Sequence, residues 1–499
     1  MGMEKLCNFK PVKLAIREAM EDFIHRETDR TGRLSQPRKL SEGFLLGGGL
    51  FVVGLALQLT MGPIDWSLFA APVNWIMLVL LLGFLVLMFL LRKKVYAFEW
   101  MMHGQAAVAA IAWALGITLV MGLLPQIREG GVPWLSQMLT FWPFVLIWTW
   151  MMVISGLATV NHFSRFQLKE IPFLLNHLGV FVAIVAATLG SADRQQLQMT
   201  VAYEAPEWRA LSDDYGVVEP GFTMELHQFA VDYYENGMPR RFASDISVHT
   251  EDGKLLRGTV EVNKPLKVNG WKIYQYGYDT MLGSESPYSV FLLVKDPWLP
   301  AVYAGIFLML AGALALLLTR RFRNWGKRSV ILPVGLILAT VAFVYFFTPV
   351  FRNKALMPAL QSPWFVPHVV VYMFSYAILA AATLLAVYQL LRKTDAQMGI
   401  TGNLVCAGLA FLTVGMLFGA LWAKEAWGHY WAWDPKETWA AITWLCYLLY
   451  LHFRTFRPTE WRKACWILLL AFVCLQICWW GINYLPSAQG LSIHTYNVR

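Results

Sequence analysis

The chain has 499 residues, of which 57% are hydrophobic and only 15% charged, and its mean hydropathy is +0.47. That balance excludes a soluble globular protein of this length and makes lipid the main solvent. The net charge of +9 sits in short basic clusters beside apolar runs, which leaves a nucleic-acid-binding surface without support.

About forty residues precede the first apolar run, rich in Arg26, Arg30, Arg33, Arg38 and Lys39 and without a short apolar stretch ending in a small-residue cleavage site. They read as an inward-facing segment (1–43) and not as a removed signal peptide. A bilayer core needs about 20 apolar residues per helix. Eleven runs of that kind follow: 44–61, 73–91, 104–124, 138–158, 171–190, 298–319, 329–349, 366–390, 403–421, 438–453 and 463–485. With the N-terminus inside and the C-terminus outside, alternation places every dense basic cluster on the cytoplasmic side: Arg92 to Lys94, Arg165 to Lys169, Arg320 to Arg328, Arg392-Lys393 and Arg454 to Lys463. This is the positive-inside rule, and one missed helix would break it. The fold class is therefore a polytopic α-helical membrane protein with one small external β domain.

That domain lies at 191–297, between N-terminal helices (44–190) and a C-terminal helical part (298–499). Met224 to Tyr234 alternates apolar and polar residues. Phe242 to His249, Leu255 to Asn263, Trp271 to Tyr278 and Tyr288 to Val294 follow as further strands, punctuated by Asp252-Gly253 and Asn269-Gly270. It holds no clustered catalytic set. Six cysteines form no C-x-x-C, and all but Cys7 fall inside predicted spans, where thiols pack as small hydrophobes.

Between the ninth and tenth spans, residues 422–444 contain six tryptophans interleaved with Gly428, Asp434, Pro435, Lys436 and Glu437. An aromatic belt scatters its anchors over many helix ends. Indoles concentrated in one loop instead predict a platform for a flat conjugated ligand, because each brings large contact area with few torsions to freeze. Asp434 before Pro435 favours a turn that fixes the loop.

The string Trp427-Gly428-x-x-Trp431-x-Trp433-Asp434-Pro435-Lys436-Glu437-x-Trp439 resembles the WWD signature of haem-handling cytochrome c assembly proteins. Asn176-His177-Leu178-Gly179, Phe229 to Tyr234 with Gly237, Val262 to Leu266 and Ile273 to Gln275 are similar to the ResB or CcsB component. The part from about 366 onward is similar to ResC or CcsA. Both on one chain resemble a fused system II cytochrome c synthetase, over about 172–297 and 364–496, while residues 1–160 carry no motif of it.

Topology sorts the ten histidines. His368 and His494 flank the WWD loop on the outer side. His177, near the start of the fifth span, and His452, near the end of the tenth, each lie within roughly 10 Å of the inner boundary, where one iron could bridge them. His103 is the alternative inner ligand. His162 faces the cytoplasm, His227 and His249 belong to the β domain, and His429 is a variable position of the string.

The resemblance implies that haem b is held at an inner site by His177 and His452 and at an outer site by His368 and His494. There Trp427, Gly428, Trp431, Trp433, Asp434 and Trp439 form the cradle, with Trp427, Trp431, Trp433 and Asp434 in the catalytic role. It implies a holocytochrome c synthase of the cytochrome c haem-lyase type, moving haem across a bacterial inner membrane. Haem would then be attached to the Cys-x-x-Cys-His segment of apocytochrome c on the periplasmic face, with thiol-reducing proteins as further partners. A haem transporter without bond-making ability and a b-type membrane cytochrome are the rival classes.

Overall fold

The computed structural model describes residues 39–127, 131–318 and 356–488. The predicted span 329–349, His494 and the basic cluster at 320–328 lie outside the described residues.

Five long helices come first: α1 (Leu40–Met61), α2 (Val73–Leu91), α3 (Gly104–Leu123), α4 (Trp142–Phe163) and α5 (Ile171–Leu189). After the β domain come α6 (Leu299–Leu318), α7 (Phe365–Arg392), α8 (Met398–Trp427), α9 (Pro435–Phe456) and α10 (Trp461–Trp479). Among the described residues nine of these are long and apolar enough to cross a membrane. The tenth, α9, carries Lys436, Glu437, His452 and Arg454 on a 22-residue helix, long enough at about 33 Å to span a bilayer core. Its interior position explains how it tolerates them: it packs between α3 and α10, where polar groups find protein partners instead of lipid.

Helix ends explain the boundaries. Pro143, Pro172 and Pro435 stand in the first turns of α4, α5 and α9, where a missing N–H is harmless. The predicted last span to 485 is shorter, because α10 ends at Trp479 and short turns at Gly481–Tyr484 and Pro486–Ala488 follow.

Close pairing uses small residues, as expected where lipid supplies no hydrophobic drive. A Cβ on Gly179 would lie 2.6 Å from Met309 Cγ, and one on Gly305 2.8 Å from the Ala183 amide nitrogen, so α5 and α6 meet nearly backbone to backbone. Similarly, α7 and α8 close over Gly408, whose carbonyl accepts from Ser375 Oγ at 2.8 Å.

The β domain is a sandwich. One sheet has the order β3-β2-β1-β9-β8-β7 and the other β4-β5-β6. In chain order the strands are β1 (Gln195–Ala202), β2 (Ala210–Ser212), β3 (Val217–Val218), β4 (Phe222–Tyr233), β5 (Pro239–Thr250), β6 (Leu255–Glu261), β7 (Leu266–Val268), β8 (Trp271–Tyr278) and β9 (Tyr288–Lys295). Leu197, Met199, Val201, Ile273, Phe291 and Leu293 of one sheet pack on Met224, Leu226, Ile246, Val248 and Val260 of the other. Both predicted turns are present, with Gly253 at φ +78° and Asn269-Gly270 at +45° and +84°, the paired positive φ of a two-residue hairpin.

Alternating helices give the bundle two ends. At one, Arg92 to Lys94, Arg165 to Lys169, Arg392-Lys393 and Arg457 to Lys463 cluster. At the other sits the β domain, anchored through Asp193, which accepts from the Ala71 amide at 2.8 Å, Asn74 Nδ2 at 2.7 Å and the Trp298 indole at 2.8 Å. Burial works against the Asp193 carboxylate, but these three donors together hold it below the usual carboxylate range.

Candidate functional site

At the basic end α5 and α9 bring two imidazoles together. The ring centres of His177 and His452 are 6.2 Å apart, with planes inclined at 68°. Each Nδ1 lies 2.9 Å from the carbonyl four residues earlier, Phe173 for His177 and Leu448 for His452. A carbonyl only accepts, so Nδ1 carries the hydrogen on both rings and the lone pair stands on Nε2. Such a backbone bond orients a metal-binding histidine and raises its basicity. Metal–nitrogen bonds of about 2 Å on each side of an iron, plus about 1.1 Å from each nitrogen to its ring centre, span roughly 6 Å. The observed separation fits two axial ligands of one iron.

His103 takes another part. It caps α3, accepting from the Gln105 amide at 3.4 Å through Nδ1, and its ring lies 5.8 Å from that of Phe456. In the β domain His227 meets Ser247 Oγ at 2.8 Å and His249 lies 3.9 Å from Glu225.

At the β-domain end His368 begins α7 and leans on α8. Its Nδ1 is 2.7 Å from the Gly415 carbonyl, and a Cβ on Gly419 would come 2.7 Å from its Cε1. The spacing Gly415-x-x-x-Gly419 is thus the slot for this ring, a signal present in the sequence and missed there. Aromatic rings continue outward: His368 to Trp422 at 5.7 Å, Trp422 to Trp427 at 5.0 Å, and Trp427 stacked on His429 at 6.4 Å. Glu425, also missed, fixes the approach to His368 by accepting from Ser362 Oγ at 2.9 Å and the Trp364 indole at 3.0 Å.

The predicted loop 422–444 is mostly helix. Residues up to Trp427 complete α8 and those from Pro435 open α9, leaving the turn at 428–434. Gly428 ends α8 at φ +79°, and a Cβ there would sit 3.1 Å from Tyr274 and Val294 of the β domain, so only glycine fits both the backbone and the neighbour. Asp434 closes the turn as the cap of α9. Its carboxylate accepts from the Lys436 amide at 2.9 Å, and Glu437 reaches back to the amides of Ala432 at 2.7 Å and Asp434 at 3.2 Å. This reciprocal capping box turns two acidic residues of the motif into its frame.

The six tryptophans divide by their neighbours. Trp422, Trp439 and Trp444 are buried and donate to the Ala359 carbonyl at 2.7 Å, the Gly122 carbonyl at 3.0 Å and Thr413 Oγ1 at 3.0 Å. Trp427, Trp431 and Trp433 are only partly buried. Trp433 lies edge-on to Trp431 at 5.8 Å and to Phe144 and Trp148 of α4 at 5.8 and 5.7 Å. Helix α4, which carries no recognised motif, therefore packs against the turn. Burial pushes the phenols of Tyr430 and Tyr274 up, so both stay neutral beside the turn.

The β domain reaches the same region. Tyr234 Oη donates to the Leu356 carbonyl at 3.2 Å, Asn263 Nδ2 to the Pro358 carbonyl at 2.7 Å and Gln361 Nε2 to the Arg240 carbonyl at 2.8 Å. Three bonds thus hold the segment that leads into His368.

Comparison with known proteins agrees with these two regions. Residues 298–488 match the family described as Cytochrome C assembly protein, and residues 165–286 match the ResB-like family. The chain is 31% identical over 273 residues to the cytochrome c biogenesis protein CcsA of Cyanophora paradoxa, covering 42% of this chain and 84% of that protein. The chain belongs to the CcsA family of cytochrome c biogenesis proteins. With a ResB-like region ahead of it, it is of the fused ResB–CcsA, system II type. CcsA of Prochlorococcus marinus strain AS9601 is 33% identical over 219 residues, 36% of this chain and 69% of that one. CcsA of Chlamydomonas reinhardtii is 38% identical over 183 residues, 34% of this chain, and there the match spans half the relative's length. The fused chain therefore has a role in cytochrome c biogenesis and haem handling.

Proposed function

We propose that this protein carries haem from the basic end of the bundle to the β-domain end and joins it there to apocytochrome c. The observation that carries this reading is the 6.2 Å imidazole pair with both Nδ1 atoms committed to backbone carbonyls. Haem is the substrate, and the pair fits its iron. The basic clusters at that end support a cytoplasmic orientation under the positive-inside rule, and on this reading the β domain faces the periplasm from a bacterial inner membrane.

At that outer face His368 and His494 are the proposed axial ligands, and Trp427, Trp431 and Trp433 grip the macrocycle, with Gly428, Asp434 and Trp439 shaping the turn beneath them. The ligand is haem b, whose vinyl groups are intact. An apocytochrome offers a reduced Cys-x-x-Cys-His segment, kept reduced by separate thiol-reducing proteins. Its histidine displaces one protein ligand from the iron. Each thiol then adds across a vinyl group: a sulfur–carbon bond forms at one vinyl carbon and the proton goes to the other, with no net electron transfer. Positioning supplies most of the acceleration, with effective molarities of about 10⁵ to 10⁸ M setting the scale.

Co-expression with an apocytochrome tests this. Haem on the cytochrome should resist extraction by acid acetone. Haem that binds the protein but stays extractable from the cytochrome would leave a transporter that presents haem without making bonds.

A further inference from the structure

At the basic end a third imidazole belongs to the same stack. His162, at the end of α4, lies 3.8 Å from the Phe173 ring centre, and Phe173 lies 3.8 Å from His177. Two rings at that distance cannot share one face of a phenylalanine, so Phe173 is sandwiched between them. His162 is the outermost of the three, its side chain 36% exposed, and its Nδ1 is 3.1 Å from Glu170 Oε2. A carboxylate accepting from Nδ1–H leaves the lone pair on the other nitrogen and strengthens it as a metal ligand.

The surrounding turn has matching chemistry. Phe163, Phe166 and Leu168 are 71%, 54% and 77% exposed, and Arg165 and Lys169 stand exposed among them. Three exposed apolar side chains, two cations and one backed imidazole together suit a flat, apolar metal chelate with anionic edges.

We infer that His162, supported by Glu170, is a third iron ligand, on which an anionic metalloporphyrin first lands before passing to His177 and His452. The inference rests on the haem-carrying function proposed above. Phe163, Phe166 and Leu168 receive the macrocycle and Arg165 and Lys169 its carboxylates. Transfer is a stepwise ligand exchange: the iron–His162 bond breaks, the metalloporphyrin moves past the edge of Phe173, and an iron–His177 bond forms, with the oxidation state of iron unchanged.

The test mixes detergent-purified protein with hemin in a stopped-flow spectrometer, every variant also carrying H368A and H494A so that only the inner side reports. H162A should reach the same final spectrum about tenfold more slowly, with E170Q in between. H162G supplied with imidazole should recover the fast phase, which a folding defect would not allow. With both H177A and H452A, the protein should still hold hemin with a single-histidine spectrum, lost when H162A is added. Iron-free protoporphyrin, having no metal to ligate, should associate equally with wild type and H162A. An unchanged hemin rate in H162A, or no hemin on the H177A/H452A protein, overturns the landing site while leaving the carrier function intact. No hemin uptake by the protein with His162, His177 and His452 all present overturns both.

Discussion

Replacing Asp434 separates two roles open to a carboxylate in this motif, because asparagine and serine cap a helix nearly as well as aspartate but carry no charge. Asp434→Ala removes the bond to the Lys436 amide, a loss of about 1 kcal/mol for an N-cap. That corresponds to roughly a fivefold shift of the turn toward a frayed state. Glu437→Ala is the harsher change. It strips the acceptor from the Ala432 and Asp434 amides, and leaving the buried one, at Asp434, without it costs about 1–3 kcal/mol. The expected order of damage is Glu437→Ala, then Asp434→Ala, with Asp434→Asn and Asp434→Ser near wild type. The assay measures covalent haem on a co-expressed apocytochrome together with haem retained by the purified protein, and both should fall in parallel. If Asn and Ser abolish attachment as fully as Ala while retained haem is normal, the carboxylate acts chemically and the framing role is refuted.

Gly419→Ala should push His368 out of its slot, since a Cβ would lie 2.7 Å from the ring; haem at the β-domain end should drop while the inner haem keeps its spectrum, and equal loss of both would contradict the separation of the sites. Gly428→Ala adds a left-handed residue, about 1–2 kcal/mol, and a close contact with Tyr274; Tyr274→Ala in the same protein should relieve the steric part, read as recovered haem retention. Asp193 is held below its usual range despite burial by the Ala71, Asn74 and Trp298 donors. Its contribution is therefore present above the unfolded carboxylate value and lost as pH falls through the folded one; Asp193→Asn should flatten the acid side of a thermal-stability profile, and an unchanged acid limb would count against this anchor.

Much of the architecture is legible in the sequence because its causes are local. Apolar runs bounded by charge mark the spans, and Asp252-Gly253 and Asn269-Gly270 mark hairpins. Strand β1 also carries a plain alternation, Leu197, Met199 and Val201, directly after the apolar run of α5. The short β2, β3 and β7 have two or three residues each and no periodicity to find. The site divides in the same way. His177 and His452 share a depth set by helix geometry, so their meeting is readable from topology. That Trp433 rests on Phe144 and Trp148, or that Trp439 donates to Gly122, depends on how α3 and α4 pack against α9, and no local pattern contains it. The six tryptophans look alike in the sequence, yet three serve the bundle interior.

The absorption spectrum of the purified protein with His177 and His452 replaced singly and together tests the inner site most directly. If the two imidazoles hold one iron, each single glycine variant should lose the inner haem, the double variant should lose no more, and added imidazole should restore either single one. Normal haem loading in either single variant, or losses that add in the double one, would contradict a shared iron between them.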